Sequence, residues 1–182
     1  LYHKACPDGF ASAYIAWTKL GDAAKYIAVS YYDELPKIKN GKVLVCDFSF
    51  KEKETKKLIE DNEYFYNIDH HVTAVDNLKN ISDEYKFFDM NHSGATLTWK
   101  YFYPKKDIPE FIKYIEDYDL WQFKYDNTKA FNAILRQSVK MFFGPKLRLQ
   151  GIPEHEKQCQ MIPRRLLILQ ARSNRCQKWM VR

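Results

Sequence analysis

The run Tyr64-Phe65-Tyr66-Asn67-Ile68 breaks directly into Asp69-His70-His71, and this junction constrains the fold more than any other stretch of the chain. A short, mostly apolar run is strand material, whereas three consecutive polar, metal-competent side chains are poor material for continuing a buried strand. They fit where such a strand reaches an open rim. There a carboxylate and two imidazoles can converge on a divalent cation or a phosphate. A His/Asp cluster also occurs on ordinary solvated turns, so the weight comes from similar residues at other strand and helix ends.

Leu1 to His3 reads as the end of a first strand, with upstream residues expected before it, and Asp8 follows within five residues. Val43-Leu44-Val45-Cys46 is a continuous apolar strand that ends in Asp47. Tyr26–Val29 and Tyr85–Phe88 are further short strand runs. Between them, Phe10, Ala13, Tyr14, Trp17 and Leu20 recur at helical spacing with Gly21 as the stop, and Lys51–Asp61 forms a charged helix. Ser93-Gly94-Ala95 opens a helical pattern to Phe102. Pro109, Phe111, Ile112 and Ile115 begin another that runs into Glu116-Asp117-Tyr118-Asp119. Strands alternating with helices predict an α/β fold: a mostly parallel β-sheet with helices on both faces and a metal site at the carboxyl ends of the strands.

The chain has 182 residues and a formal net charge of +6, but the charge is not spread evenly. Residues 141–182 hold nine Lys/Arg against two Glu, which leaves the rest nearly neutral. All 13 Tyr and every Asp precede that segment, so a boundary is expected near Phe143-Gly144-Pro145. Residues 1–143 read as one globular domain and 144–182 as a basic tail with one short helix around Leu166–Leu169. Such a tail is able to contact nucleic-acid phosphates, or is a solvated extension without a partner. No apolar stretch is long enough to span a bilayer, and no signal peptide is evident. Cys6, Cys46, Cys159 and Cys176 show no paired framework, which points to reduced thiols and a cytoplasmic (intracellular) protein.

In chain order the pieces are His3-Lys4-Ala5-Cys6-Pro7-Asp8-Gly9, Asp47, Asp69-His70-His71, Ser93-Gly94-Ala95 and Asp117. This succession resembles the DHH phosphoesterase superfamily over about residues 1–140, most closely its oligoribonuclease and cyclic-nucleotide phosphodiesterase branch. The resemblance implies a site of two divalent metal ions, Mn2+ or alternatively Mg2+, that activates water and clamps a phosphoryl group. It further implies Asp47 as the shared ligand, with His3, Asp8, His70 and Asp117 completing the metal shells. Asp69, His70 and His71 become the catalytic triplet, with Asp69 orienting its neighbours. His71, Ser93 and Gly94 are then expected to receive the substrate phosphate. Oxygen and imidazole donors suit such hard cations independently of any resemblance.

Cys6 stands where much of that superfamily carries the first carboxylate of an Asp-x-Asp pair, which makes it a candidate substitute ligand at the first site. Residues 144–182, only 39 in number, are too short for the second, substrate-gripping domain usual in the superfamily. Read singly, Asp8 also suits a helix cap, Asp47 a turn, and Asp119 competes with Asp117 for its role. The expected function is phosphoester hydrolysis on short oligonucleotides or on cyclic or linear dinucleotides. Pyrophosphate or polyphosphate hydrolysis is the alternative enzyme. A nucleotide- or nucleic-acid-binding module, or an inactive fragment, is the alternative outside enzymes. The oligomeric state is left open.

Overall fold

The structure, a computed structural model, describes residues 1–143, all within one unit, Leu1–Gly144. The expected basic tail, its short helix and its nucleic-acid contact lie outside the described residues. Five strands form one sheet: β1 (Tyr2–His3), β2 (Ala28–Val29), β3 (Lys42–Cys46), β4 (Tyr64–Asp69) and β5 (Lys86–Phe88). They lie in the order β2-β1-β3-β4-β5 and every neighbouring pair is parallel. Six helices accompany them: α1 (Pro7–Leu20), α2 (Glu52–Asp61), α3 (Val72–Asn77), α4 (Gly94–Phe102), α5 (Glu110–Asp119) and α6 (Thr128–Phe143).

Register follows from the alternation of side chains along β3 and β4. Val43 pairs with Phe65 and Val45 with Asn67, so Val43, Val45 and Phe65 share one face and pack with Leu58 of α2. Leu58 is fully buried, and removing such a side chain from water contributes about 1.5–3 kcal/mol. The intervening residues serve the other face, where Tyr66 lies 5.5 Å from the Tyr101 ring of α4. There α1 and α4 pack on each other and on β3. A one-residue slip would exchange the two faces and set each row against the wrong helices.

The strand order fixes where a ligand can sit. From β1 the chain crosses over to β2 on one side and then returns to lay β3 on the other side of β1. The crevice beyond the carboxyl ends of β1 and β3 is therefore the switch point of the sheet. Right-handed crossovers place α1 and α2 on opposite faces, so the chain leaves β1 and β3 toward opposite sides and opens the crevice between them.

Two helices have no counterpart in the sequence reading. Helix α3 has six residues and buries only Ala74, too few to produce a period. The described buried positions of α6 are Thr128, Asn132, Leu135 and Val139, at helical spacing but half polar. The apolar signal of that helix is diluted accordingly. Among the described residues, no helix is long and apolar enough to cross a membrane.

Candidate metal centre

Asp47 leaves β3 with a φ of +54°, in the left-handed region that few residues other than Gly, Asn and Asp adopt readily. Its N–H still donates to the carbonyl of Ile68 (2.9 Å), so the turn occurs at the very edge of the sheet. Asn67, buried in β4, holds the segment that follows: its Nδ2 donates to the carbonyl of Phe48 (2.9 Å), and Ser49 Oγ donates to its Oδ1 (3.2 Å). The Asp47 carboxylate is thereby aimed into the β1/β3 crevice, and it is 1% exposed.

Its two oxygens face different partners. Oδ1 lies 3.2 Å from His70 Nε2, and that same nitrogen is 3.3 Å from Asp119 Oδ2 and 3.7 Å from Asp8 Oδ2. Oδ2 lies 3.6 Å from His3 Nδ1, too far for a hydrogen bond. Both His3 Nδ1 and Asp47 Oδ2 are buried without a hydrogen-bond partner. Ligand-type atoms of His3, Cys6 and Asp47 lie within 4.8 Å of one another, as do those of Asp8, His70 and Asp119, and those of Asp47, Asp69, His70 and His71. The carboxylate of Asp47 thus separates two pockets of donors.

Charge is crowded here. Burial, followed by the neighbouring Asp47 and Asp119, pushes the Asp8 carboxyl well above its ordinary range. Burial and Asp47 likewise raise Asp119. Burial also works against ionised Asp47, but the imidazoles of His3 and His70 outweigh it and hold that carboxyl below the usual range. Burial lowers the His70 imidazole, yet Asp47 and Asp119 prevail and raise it. Burial pushes the Cys6 thiol well up, aided by Asp47 and Asp8. Three carboxylates around one imidazole is an arrangement a divalent cation would neutralise, and the oxygen-rich donor set fits one.

Asp69 is fully buried and contacts both of the histidines that follow it. Its Oδ1 accepts from the backbone N–H of His70 (2.7 Å) and of His71 (3.3 Å), and Ser49 Oγ donates to its Oδ2 (2.6 Å). His71 Nδ1 sits 2.6 Å from Asp69 Oδ1, which fixes the ring and leaves Nε2 as its outward atom. The hydrogen bond to Asp69, opposed by burial, raises the His71 imidazole to about 9.

The structure corrects two expectations. Asp117 is not part of this cluster. Its Oδ1 accepts from Lys124 N (2.8 Å), and its Oδ2 from Tyr125 N (3.2 Å) and from the Thr128 hydroxyl, so it ties the end of α5 to the start of α6. Helix α5 continues through Asp119, and two residues along a helix turn about 200°. The two carboxylates therefore face opposite ways, and Asp119 is the one beside His70. The second correction concerns the start of α4. Gly94 N and Ala95 N donate to Asp8 Oδ2 (2.6 Å) and Oδ1 (3.0 Å), and Ser93 N donates to Glu116 Oε2 (3.0 Å). Ser93 Oγ accepts from Thr96 N (3.3 Å). The positive end of the helix anchors the Asp8 carboxylate, and its first backbone N–H groups are all taken by protein acceptors.

Gly94 is required by proximity: a Cβ there would meet Asp47 Cβ at 2.5 Å and Asp8 Oδ2 at 2.9 Å. Gly9 is constrained in the same way, with the His3 carbonyl 2.4 Å from where its Cβ would stand. Both glycines allow α1 and α4 to close around the crevice.

Beyond Asp119 the chain forms an aromatic shelf that the sequence reading did not single out. Trp121 is 74% exposed and lies 6.1 Å from Tyr118 in a stacked arrangement and 5.2 Å from Phe123. Trp121 and Phe123 both have positive φ, at 54° and 50°, unusual for bulky side chains. Lys129 lies over Phe123 (4.8 Å) and Arg136 over Tyr118 (4.8 Å).

No family model matches this chain. It is 37% identical over 147 residues to the Uncharacterized protein R106 of Acanthamoeba polyphaga mimivirus, a match that covers 72% of this chain. The chain spans about a third (35%) of the length of that relative. Among solved structures it resembles an uncharacterized protein from Helicobacter pylori G27, with a TM-score of 0.59 and 14% identity. That likeness covers 75% of this chain and 47% of the other, and concerns the fold alone.

Proposed function

We propose that the chain carries the cation-binding part of a phosphoesterase of DHH type, acting on short oligonucleotides or on cyclic or linear dinucleotides. The observation that carries this reading is the Asp47 carboxylate, whose two buried oxygens face two separate donor sets. Asp8, His70 and Asp119 with Asp47 Oδ1 would hold one divalent cation, for which Mn2+ or Mg2+ suits the oxygen-rich set. His3 and Cys6 with Asp47 Oδ2 would hold the other. When bound, two such cations supply Lewis acidity to a water nucleophile and to the phosphoryl oxygens.

The residues of the chain do the rest. Asp47 sets the spacing of the two positions, and Asp69 with Ser49 locks the His71 ring. His71, its Nδ1 fixed by Asp69 and its imidazole raised by that hydrogen bond, would present Nε2 as a donor to a non-bridging phosphate oxygen. The shelf of Tyr118, Trp121 and Phe123 gives a base a face to stack on, which favours a nucleotide over pyrophosphate. The reduced cysteines Cys6 and Cys46 fit an intracellular compartment.

The test is Mn2+-dependent release of mononucleotide from a linear dinucleotide by the 182-residue chain. Turnover by wild type and none by Asp47→Ala is the expected result. Equal rates in both would overturn it. No turnover in either, with cations still bound, would make the chain a nucleotide-binding module instead. Trp121→Ala is expected to weaken dinucleotide binding by about 1–3 kcal/mol, the usual worth of one base–aromatic stack. Hydrolysis of a non-nucleotide phosphodiester should be unaffected; an equal loss on both substrates would remove the case for stacking.

A further inference from the structure

The two donor sets flanking Asp47 differ in kind. On the Oδ1 side stand Asp8, Asp119 and His70, three oxygens and one nitrogen when Asp47 is included. On the Oδ2 side stand His3 Nδ1 and Cys6 Sγ, so that set is one oxygen, one nitrogen and one sulfur. Its atoms lie within 4.8 Å of one another. The 3.6 Å between His3 Nδ1 and Asp47 Oδ2 is wrong for a hydrogen bond. It matches two ligands of one tetrahedral ion, whose bonds of about 2.0–2.3 Å put neighbouring donors roughly 3.3–3.7 Å apart. Two facts beyond the thiol point to a ligand here: His3 Nδ1 has no hydrogen-bond partner, and Asp47 Oδ2, on a side chain 1% exposed, has none either. Oxygen ligands suit Mn2+ and Mg2+, whereas sulfur with imidazole suits zinc-like ions.

Building on the two-cation reading, we infer that the two positions select different metals: the His3–Cys6–Asp47 position takes a zinc-class cation, and the carboxylate-rich position takes Mn2+ or Mg2+. Binding at the first position exchanges the Cys6 S–H bond for a sulfur–metal bond and releases that proton to solvent. No oxidation or reduction is involved.

Cobalt(II) is the probe, because it substitutes for zinc and a thiolate ligand gives it a near-ultraviolet charge-transfer band. The metal-stripped, reduced 182-residue chain is titrated with Co2+ and followed by absorption. A thiolate band is expected in wild type and in Cys46→Ala, with loss of the band in Cys6→Ser and Cys6→Asp. Zn2+ should abolish the band at stoichiometric addition, and an equal amount of Mn2+ should not. Cys6→Asp should lower Zn2+ affinity at least about tenfold, the lower end of what even an outer partner of a ligand contributes. Should both variants misfold by circular dichroism, alkylation of wild type decides: Zn2+ should protect Cys6 from iodoacetamide, read by peptide mass, and Mg2+ should not. Cobalt bound without a thiolate band, a band that survives loss of Cys6, or a Cys6 alkylated equally with Zn2+ overturns this inference and leaves the two-cation reading standing. No cobalt bound at all overturns both.

Discussion

Asp47 and Asp117 are both buried carboxylates at the ends of regular elements, yet their surroundings are opposite. Asp117 accepts from two backbone N–H groups and a hydroxyl, all supplied by the segment that leads into α6. Asp47 has one oxygen with no hydrogen-bond partner, 3.6 Å from an imidazole nitrogen that has none either, at a turn of left-handed φ. A carboxylate whose donors are all present stabilises the chain that surrounds it. A carboxylate buried with one oxygen unsatisfied is held there by the rest of the fold and, under the proposed function, is completed by a cation. Burial alone does not distinguish the two acids; the state of their hydrogen-bond partners does.

Breaking each carboxylate should therefore give opposite results. Asp47→Ala should reduce dinucleotide hydrolysis to background and abolish divalent-cation binding, at a smaller cost in stability to the metal-free chain than Asp117→Ala. A large loss of stability would place Asp47 with Asp117. Asp117→Ala should cost about 1.5–3 kcal/mol or more in urea unfolding, since hydrogen bonds to a charged group are lost. Divalent cation affinity measured by calorimetry should survive under native conditions. The neighbouring change Asp119→Asn sharpens the comparison, because it should lower cation affinity with little effect on unfolding. Identical behaviour of the two positions would refute the assignment of their roles.

Gly94→Ala presses on the crevice from outside it. The added methyl has backbone-near atoms of Asp47 in its way, so an overpacking loss of about 1–3 kcal/mol is expected together with weaker cation binding. Normal stability and normal binding would show that α4 sits farther from Asp47 than described.

The smallest effect is in pH. His71 is raised from 6.5 to about 9 in the folded chain, so the stability it contributes is complete below about 6.5 and is lost as pH rises through about 9. Asp8, raised above its ordinary range, acts in the same direction as pH climbs from that ordinary range toward its folded-state titration. In EDTA the melting temperature should fall by a few degrees between pH 6.5 and 10, and His71→Gln should flatten that slope. A slope of the same size in the variant would assign the titration elsewhere.

Much of this arrangement was legible in the sequence. The strands announced themselves because apolar runs ended at Asp47 and at Asp69-His70-His71, and parallel pairing followed from the helices between them. The roles of Asp117 and Asp119 were not legible. Their separation by two residues makes them opposite faces of α5 only if the helix runs through both, and helix ends are the least determined feature of a pattern. The start of α4 was misread for a different reason: Ser93-Gly94 does open a helix, but the carboxylate that occupies it comes from Asp8, 86 residues away from Gly94. Contacts of that span leave no local trace. The contacts of Ser49, Glu116 and Arg136 escaped notice likewise, since each acts on a partner brought near only by the fold.

The most direct test of the account is anomalous diffraction from crystals of the chain grown with Zn2+ and Mn2+, collected at both metal edges. Two peaks flanking the Asp47 carboxylate, about 3.5–4 Å apart, are the result expected of a shared ligand between two cations. A single peak remote from Asp47, or none beside His3 and His70, would contradict it.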